Sequence, residues 1–353
     1  MYHPSGRAPG GDSAIRATDG DAVLARFSAV QRGYLADPFL APFVPRAHLQ
    51  PPRPPLINIG TYVRSEAVDG LLGAWLARCP RGAQVVSLGA GSDTRFWRLA
   101  AGPRKDAVAR YVEIDFPENT TKKAMAIRKH AVLHEPLGGL ANLSFDNGGT
   151  TVHSPVYHLL ATDLRRPPSE TLEPLLAPLL DPTLPTVLLF ECVLAYMEPA
   201  DSTAVLKWFT DFFSALAATE GGAVLGCIVY EMFALEDAFG SVMRNHLAAR
   251  NISLPGVKPY PTVESLPKRF TDIGWQTAKA LTLKDIRREY VPSAELERMS
   301  RLEMLDEIEE LDLTLAHYAV TWGVKLPPQT DQLRVEWDTW GLHPKTDNAE
   351  DDS

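Results

Sequence analysis

Four strand-like runs in this 353-residue sequence are each followed closely by an acidic residue. The acids are Asp93, Asp115, Asp163 and Glu191. Ligands of open α/β sheets bind beyond the carboxyl ends of the strands, so these side chains are predicted to share one edge. Asp115 and Asp163 could instead cap a helix or a turn, and this alternative stays open. Glu191 lies in the apolar run VLLFECVLA, where burying a carboxylate is costly without a partner.

A glycine turn, Gly89-Ala90-Gly91-Ser92-Asp93, follows the first of these runs. The turn lacks the third glycine of a dinucleotide-binding fingerprint, and the phosphate-binding motif G-x-x-x-x-G-K is absent from the sequence. The turn is therefore not predicted to hold a pyrophosphate or a triphosphate. Glycines at these positions would let the backbone approach a ligand closely.

The positions of the acids predict the chemistry of the ligand. Asp115, at the end of the second strand, suits a ribose diol, and Asp163 is placed to accept a hydrogen bond from an adenine amino group. Glu191 could meet a positively charged amino group. S-adenosylmethionine is adenosine-like, positively charged and free of pyrophosphate, and Gly89 would lie against its amino-acid part. Arg64 could grip its carboxylate as a fork, although a solvated surface arginine is the alternative reading.

Alternating strands and helices must position these residues. Helical periodicity is found at 21–34, 61–79, 201–219 and 236–250, and in the acidic stretch 293–313. Strand-like runs are found at 84–88, 110–114, 156–161, 186–195, 223–230, 277–283 and 317–324. This alternation predicts a doubly wound α/β fold with a mostly parallel sheet. We expect N-terminal helices, an insertion after the fifth strand, and an antiparallel edge formed by the last two strands.

Composition and charge bear on which partners, cellular compartment and membrane segments can be expected. The formal net charge is −9, which argues mildly against nucleic acid as the main partner. Cys79, Cys192 and Cys227 have no zinc or redox spacing and fit a reducing, intracellular compartment. The N-terminus has no apolar core for a signal peptide, and the longest apolar run contains Glu191. No membrane span is therefore expected.

Several motifs, taken in order, resemble the leucine carboxyl methyltransferase family. They are NIGTYVRSEAVD, VVSLGAGSDTRFWRL, YVEIDFPE, ATDLR and LLFECVLAYMEP, and the resemblance runs from about Asp21 to Lys325. It implies a class I S-adenosylmethionine-dependent methyltransferase fold with a seven-stranded sheet. It also implies roles for residues at matching positions. The implied cofactor-binding residues are Arg26, Arg64, Gly89, Asp115, Asp163, Leu164 and Glu191, and the implied catalytic residues are Arg64 and Tyr196.

Arg26 is the departure from the family pattern. The family commonly has a lysine at this position of its first helix, and arginine keeps the charge but not the geometry. The resemblance implies no metal ion. An ionised chain-terminal carboxylate needs no general base to attack a methyl group, so no histidine-centred machinery is expected. Arg64 and Tyr196 are expected to grip the incoming carboxylate.

Composition at the two ends and the extent of the resemblance together predict how the chain is divided. Residues 1–19 are expected to be a disordered tail, 20–326 the methyltransferase domain, and 327–353 a C-terminal tail with an acidic end. Within the domain, 20–80 would form a helical lid and 232–274 a substrate-side insertion. The lid and insertion could wall a deep pocket for a protein tail, or they could simply add core packing.

The implied substrate is the C-terminal leucine of the protein phosphatase 2A catalytic subunit. Its α-carboxylate would be esterified by S-adenosylmethionine, leaving S-adenosylhomocysteine and regulating holoenzyme assembly. We expect a monomer in the cytoplasm, with the nucleus left open as a second location, that binds neither nucleic acid nor membrane. The alternatives are a small-molecule carboxyl or hydroxyl methyltransferase and a non-catalytic S-adenosylmethionine-binding partner of the phosphatase. A tRNA-modifying relative and a nicotinamide dehydrogenase fit less well.

Overall fold

A nine-stranded sheet forms the centre of the computed structural model, which describes residues 9–215, 223–327 and 331–345. The strands are β1 (Ala83–Leu88), β2 (Val108–Asp115), β3 (Ser144–Asp146), β4 (Thr151–His153), β5 (Tyr157–Ala161), β6 (Thr186–Glu191), β7 (Leu225–Met232), β8 (Thr277–Thr282) and β9 (Tyr318–Lys325). Their order is β3-β4-β5-β2-β1-β6-β7-β9-β8. Neighbours from β5 to β7 pair in parallel, and β9 pairs antiparallel with both β7 and β8.

The described helices cover this sheet. They are α1 (Pro9–Gln31), α2 (Pro55–Ala77), α3 (Arg95–Ala100), α4 (Pro117–Lys129), α5 (Ala131–His134), α6 (Leu172–Leu176), α7 (Pro199–Ala215), α8 (Ala238–Ala249), α9 (Lys268–Thr271), α10 (Leu283–Glu289), α11 (Ser293–Ser300), α12 (Ile308–Ala316) and α13 (Asp331–Asp338). The predicted fold class, with all seven predicted strands and the antiparallel edge, is confirmed. The short strands β3 and β4 extend the sheet beyond the seven predicted strands.

Burial explains why the central strands form where they do. Every residue of β1 is buried, and β6 is buried except at Glu191, as expected of parallel strands covered on both faces. Helix α2 presents the predicted apolar face, because Val63, Ala67, Leu71 and Trp75 are all buried. It begins earlier than predicted, with Pro55 in its first turn, where proline's missing N–H costs nothing. The acidic stretch is two helices, α11 and α12, rather than one.

The predicted disordered N-terminal tail is wrong for the described part of it. Helix α1 begins at Pro9 rather than at residue 21. Contacts of Asp12 and Asp19 with the sheet edge, described below, explain why this segment folds. Residues 1–8 lie outside the described residues, as do residues 216–219 of the helix predicted at 201–219.

Within the predicted C-terminal tail, residues 331–345 are described and contact α2, whereas the acidic end at 346–353 lies outside the described residues. Trp337 and Trp340 are 3% and 2% exposed. Their ring centroids lie 4.3 and 4.9 Å from the Trp75 ring, and the Trp340 indole N–H donates to the Leu71 carbonyl at 3.0 Å. Two buried tryptophans supply the apolar area that anchors a short polar segment.

Removing the Trp340 side chain is expected to lower the free energy of unfolding by about 3–5 kcal/mol, the usual cost of truncating a buried aromatic side chain. Equilibrium urea denaturation of Trp340→Ala would measure it. Val335→Ala is the matched control because Val335, on α13, is 73% exposed. We expect the control to change the free energy by about 0.5 kcal/mol or less. Equal losses in the two variants would contradict the anchoring role.

Candidate functional site

A cavity of about 390 Å³ opens at the carboxyl ends of β1, β2, β5 and β6. The structure brings every residue singled out from the sequence to its lining: Arg26, Arg64, Gly89, Asp115, Asp163, Leu164, Glu191 and Tyr196. The shared edge follows from the parallel strands, whose carboxyl ends all point the same way. Which of these residues contacts a ligand remains a prediction.

The glycine turn has a backbone that only glycine adopts easily. Gly89 and Gly91 have φ values of 69° and 48°. The Gly89 N–H donates to the Ile114 carbonyl at 2.7 Å, which ties the turn to the neighbouring strand. A Cβ atom at Gly89 would lie 2.4 Å from Cγ2 of Val193. Glycine is therefore required here both for the left-handed backbone and for the close approach of the segment after β6.

Gly89→Ala is expected to lower the free energy of unfolding by more than the roughly 1–2 kcal/mol that a left-handed backbone costs an L-residue. The excess would come from the contact with Val193. Gly148→Ala is the matched control, because Gly148 has a φ of 69° and nothing within 4 Å of the added Cβ. Adding Val193→Ala to Gly89→Ala should recover part of the loss in urea denaturation. Equal losses at the two glycines would contradict the contact.

Two arginines bind the Glu191 carboxylate, so a ligand would not be its only partner. Its Oε2 accepts a hydrogen bond from Arg64 Nε at 2.8 Å, and its Oε1 accepts one from Arg95 Nη1 at 2.7 Å. Burial by itself would raise the pKa of Glu191, but Arg95 and Arg64 outweigh burial and lower the pKa to about 2. These pairs explain how a carboxylate is tolerated in an apolar run. The predicted partner was a ligand amino group, and sequence reasoning missed Arg95.

Arg64 is oriented by two neighbours. Its guanidinium lies over the Tyr230 ring, 4.4 Å from the centroid. Among the described residues, the Nε–H bond to Glu191 is the only hydrogen bond that this guanidinium makes. The two terminal nitrogens therefore remain as a fork at the cavity, in an orientation fixed by stacking and by one ion pair. A planar fork of this kind matches a carboxylate.

Tyr196 lies in the same lining. Burial raises the pKa of its phenol well above the usual value, and the side chain has a hydrogen bond with Thr18 of α1. The phenol therefore keeps its proton at neutral pH and can donate a hydrogen bond. Tyr230 and Tyr318 stack on each other at 5.5 Å beside it, so this end of the cavity is aromatic.

Asp115 is anchored by three hydrogen-bond donors from its surroundings. Its Oδ2 accepts from the Gly91 N–H at 2.7 Å, and its Oδ1 accepts from the Phe116 N–H at 2.6 Å and the Asn119 amide at 3.0 Å. Burial raises its pKa, and these donors oppose that rise. The carboxylate therefore braces the glycine turn while it lines the cavity. Asp115 does not cap α4, because the N-cap residue is Phe116 and no side chain accepts a cap hydrogen bond there.

Asp163 has a strong partner of its own. Both of its oxygens accept from Arg165, at 2.8 and 2.6 Å, and Arg165 also pairs with Asp12 of α1 at 2.6 Å. Leu164 lies between them in sequence and is 8% exposed. Asp163 thus links the end of β5 to the N-terminal helix through Arg165, a contact that sequence reasoning did not include.

Helix α1 forms a wall of the cavity, and its acids were missed because they lie in a Gly- and Pro-containing segment. Asp19 accepts from the Ser92 N–H at 2.7 Å and the Ser92 hydroxyl at 2.8 Å. Asp21 pairs with Arg250, which follows α8. An acid-rich stretch next to a helical pattern was the signal that could have placed this segment in the site.

Arg26, on the same helix, lines the cavity but is engaged by the protein. Its Nε donates to Asp37 at 2.8 Å and its Nη1 donates to Ser65 at 2.9 Å. The Asp37 carboxylate is fully buried and also accepts from the Thr94 hydroxyl at 2.5 Å. Arg26 therefore joins α1 to α2 and, through Asp37, to Thr94 just after the glycine turn, and these contacts do not depend on a ligand.

Residues 9–215, 223–327 and 331–345 contain no group of three or more His, Cys, Asp or Glu side chains able to hold a metal ion. Within the same part of the chain, no helix is both long enough and apolar enough to cross a membrane.

Comparisons with known proteins show what this chain is similar to. A family model described as leucine carboxyl methyltransferase matches residues 14–210. Leucine carboxyl methyltransferase 1 of Cryptococcus neoformans var. neoformans is 44% identical, with 89% of this chain and 94% of that protein covered. The Arabidopsis thaliana homologue is 35% identical, with 88% and 89% covered. A putative methyltransferase structure from Thermobifida fusca is 14% identical with a TM-score of 0.49, covering 92% of this chain and 100% of that one.

Proposed function

Since this chain belongs to the leucine carboxyl methyltransferase family, we propose that it methylates the α-carboxylate of a C-terminal leucine using S-adenosylmethionine. We propose further that the leucine is that of the protein phosphatase 2A catalytic subunit. The observation that supports the chemistry best is the Arg64 fork, held at the aromatic end of the cavity by Glu191 and Tyr230.

The polar and apolar residues that line the cavity fit the groups of S-adenosylmethionine. Asp115 would accept from the ribose hydroxyls, and Asp163 with Leu164 would lie at the adenine. Arg64 would hold the amino-acid carboxylate, with Gly89 against the same part of the molecule. Glu191 would still attract the ammonium group, although two arginines already share its charge. When bound, S-adenosylmethionine supplies an electrophilic methyl group.

The residues of the chain have to orient and desolvate the acceptor. A chain-terminal carboxylate has a pKa of about 3.3–3.7 and is ionised at neutral pH, so no group needs to remove a proton. Arg64 and the Tyr196 hydroxyl would hold this carboxylate in line, and α1 would keep water from it. Orientation of this kind can supply roughly 7–11 kcal/mol of a barrier in favourable cases.

Residues from α1 and from the segment after β7 line the cavity on two sides. Ile15 and Thr18 of α1 line one side, and Met232 and Leu247 line the side of the insertion after β7. We propose that α1 and this insertion, residues 232–274, form the walls around the substrate tail. The insertion would also contact the body of the phosphatase. In this proposal the enzyme acts as a monomer.

The test is transfer of labelled methyl from S-adenosylmethionine to purified phosphatase with and without its final leucine. We expect label only on the intact tail, and the label should be released by mild base, as an ester is. Labelling that persists without the leucine would overturn the proposed acceptor. Label on an added small carboxylic acid but not on phosphatase would favour a small-molecule methyltransferase.

Calorimetry with S-adenosylhomocysteine separates the enzyme from a non-catalytic partner. Binding together with transfer supports the proposal, whereas binding without transfer to any acceptor would favour a protein that only binds the cofactor. The absence of binding would overturn the proposed methyl donor itself.

A further inference from the structure

We infer that Lys123 is a positioning residue for the methyl donor, acting on the glycine turn from outside the cavity with Glu113 as its fixed counter-charge. The inference rests on the proposed function, because it assumes that the cavity holds S-adenosylmethionine. Neither side chain belongs to the cavity lining. The two residues lie on α4 and β2, behind the turn.

The Lys123 side chain contacts the glycine turn at a backbone carbonyl, that of Asp93. The ammonium donates to the Asp93 carbonyl at 2.7 Å and lies 2.5 Å from Oε2 of Glu113. Its side chain is 2% exposed, and it lies 5.4 Å from the centroid of the Trp97 ring. The Tyr157 hydroxyl donates to the same Glu113 oxygen at 2.6 Å. The ammonium is therefore fixed from one side by a carboxylate and is directed at one carbonyl.

Burying the Lys123–Glu113 ion pair costs free energy, because both charged groups lose their contact with water. The Glu113 side chain is fully buried, and burial raises its pKa while the neighbouring Lys123 ammonium opposes that rise. Its Oε1 has no hydrogen-bond partner among the described residues. Apolar residues of similar volume often replace a buried ion pair without loss of stability. Apolar residues could not donate to the Asp93 carbonyl. We therefore infer that the pair serves to hold that carbonyl in place.

The Asp93 carbonyl is a sensitive point of the site. Two residues earlier, the Gly91 N–H is bound by Asp115. The Asp93 side chain accepts from Arg95 at 2.5 Å, and Arg95 in turn holds Glu191. A shift of this peptide would therefore move the turn away from Asp115 and would move Arg95, which orients Glu191.

The test is the double variant Lys123→Met/Glu113→Gln, which removes both charges and leaves neither one buried alone. We expect the Kd for S-adenosylhomocysteine to rise about tenfold or more, the effect of losing a hydrogen bond to a charged group. The KM for S-adenosylmethionine should rise in parallel, with a smaller change in kcat. A role in stability alone would lower the Tm and leave the Kd of the folded protein unchanged.

Tyr157→Phe is the matched control, because it removes the other bond to Glu113 and leaves the Lys123 bond to Asp93 in place. Its Kd should stay within twofold of wild type. A folded double variant with wild-type Kd would overturn the inference, and so would an equal loss in Tyr157→Phe. If the double variant does not fold, Lys123→Leu/Glu113→Gln, which also lacks a donor at position 123, is measured in the same way. Wild-type protein that fails to bind S-adenosylhomocysteine would instead overturn the proposed function.

Discussion

Arg64→Lys is expected to lower kcat/KM for methyl transfer by roughly 30-fold to several thousand-fold. Losing one partner of a buried, hydrogen-bonded charge pair costs about 2–5 kcal/mol, and each 1.4 kcal/mol is about tenfold. Lysine keeps the positive charge. It cannot donate to Glu191 while presenting a planar fork to a carboxylate, and it stacks less well on Tyr230.

Steady-state kinetics with varied S-adenosylmethionine and varied phosphatase would measure this loss. The Tm of the variant shows whether folding contributes to it. Arg78→Lys is the matched control, because Arg78 follows the last turn of α2 and donates to Thr339, away from the cavity. We expect the control to retain activity within about twofold. Activity of Arg64→Lys within threefold of wild type would rule out the proposed fork.

Asp115→Asn is expected to weaken S-adenosylhomocysteine binding by roughly 150-fold or more. Three donors converge on the carboxylate, from Gly91, Phe116 and Asn119. An amide must turn its NH₂ group toward one of these donors or toward the ribose. Two charge-assisted hydrogen bonds are lost or weakened, at about 1.5–3 kcal/mol each.

Calorimetry would measure this loss, with the Tm recorded to separate binding from folding. Asp146→Asn is the matched control, because Asp146 also ends a strand, β3, but is exposed and lies outside the cavity lining. The control should bind as wild type does. A Kd for Asp115→Asn within about fivefold of wild type would remove Asp115 from the proposed binding residues.

The two predictions test different parts of one arrangement. Arg64 is oriented by Glu191, and Glu191 is oriented in turn by Arg95. Asp115 braces the turn at Gly91, and the turn leads into Asp93, which holds Arg95. The nucleoside end and the methyl-transfer end of the cavity are thus joined through the glycine turn. A variant at either end should be examined for small effects at the other.

Much of the fold could be predicted from the sequence, since periodicity and apolar runs report local structure directly. Apolar runs predicted the seven strands, and helical periodicity predicted the apolar face of α2. The strand-end acids also followed, because parallel strands bring their carboxyl ends to one edge. The strands β3 and β4 were missed because they are short, and two of the three residues of β3 are exposed.

Contacts between distant segments could not be predicted in this way. Arg95 and Glu191 are 96 positions apart, and their bond depends on how α3 packs beside β6. Asp12 and Asp19 lie in a segment whose composition resembles a disordered tail, yet they pair with Arg165 and Ser92. Composition describes what a segment does alone, whereas these acids fold against partners supplied by the sheet.

The sequence by itself determined the sheet, the edge where the site lies, and the acids and glycines at that edge. Local propensity and strand direction suffice for these features. Only the tertiary structure decided which charges are paired there, that α1 begins at Pro9 and lines the cavity, and that Trp340 anchors the C-terminal segment on α2. Pairing depends on distances between side chains from separate elements, and those distances exist only once the elements have packed.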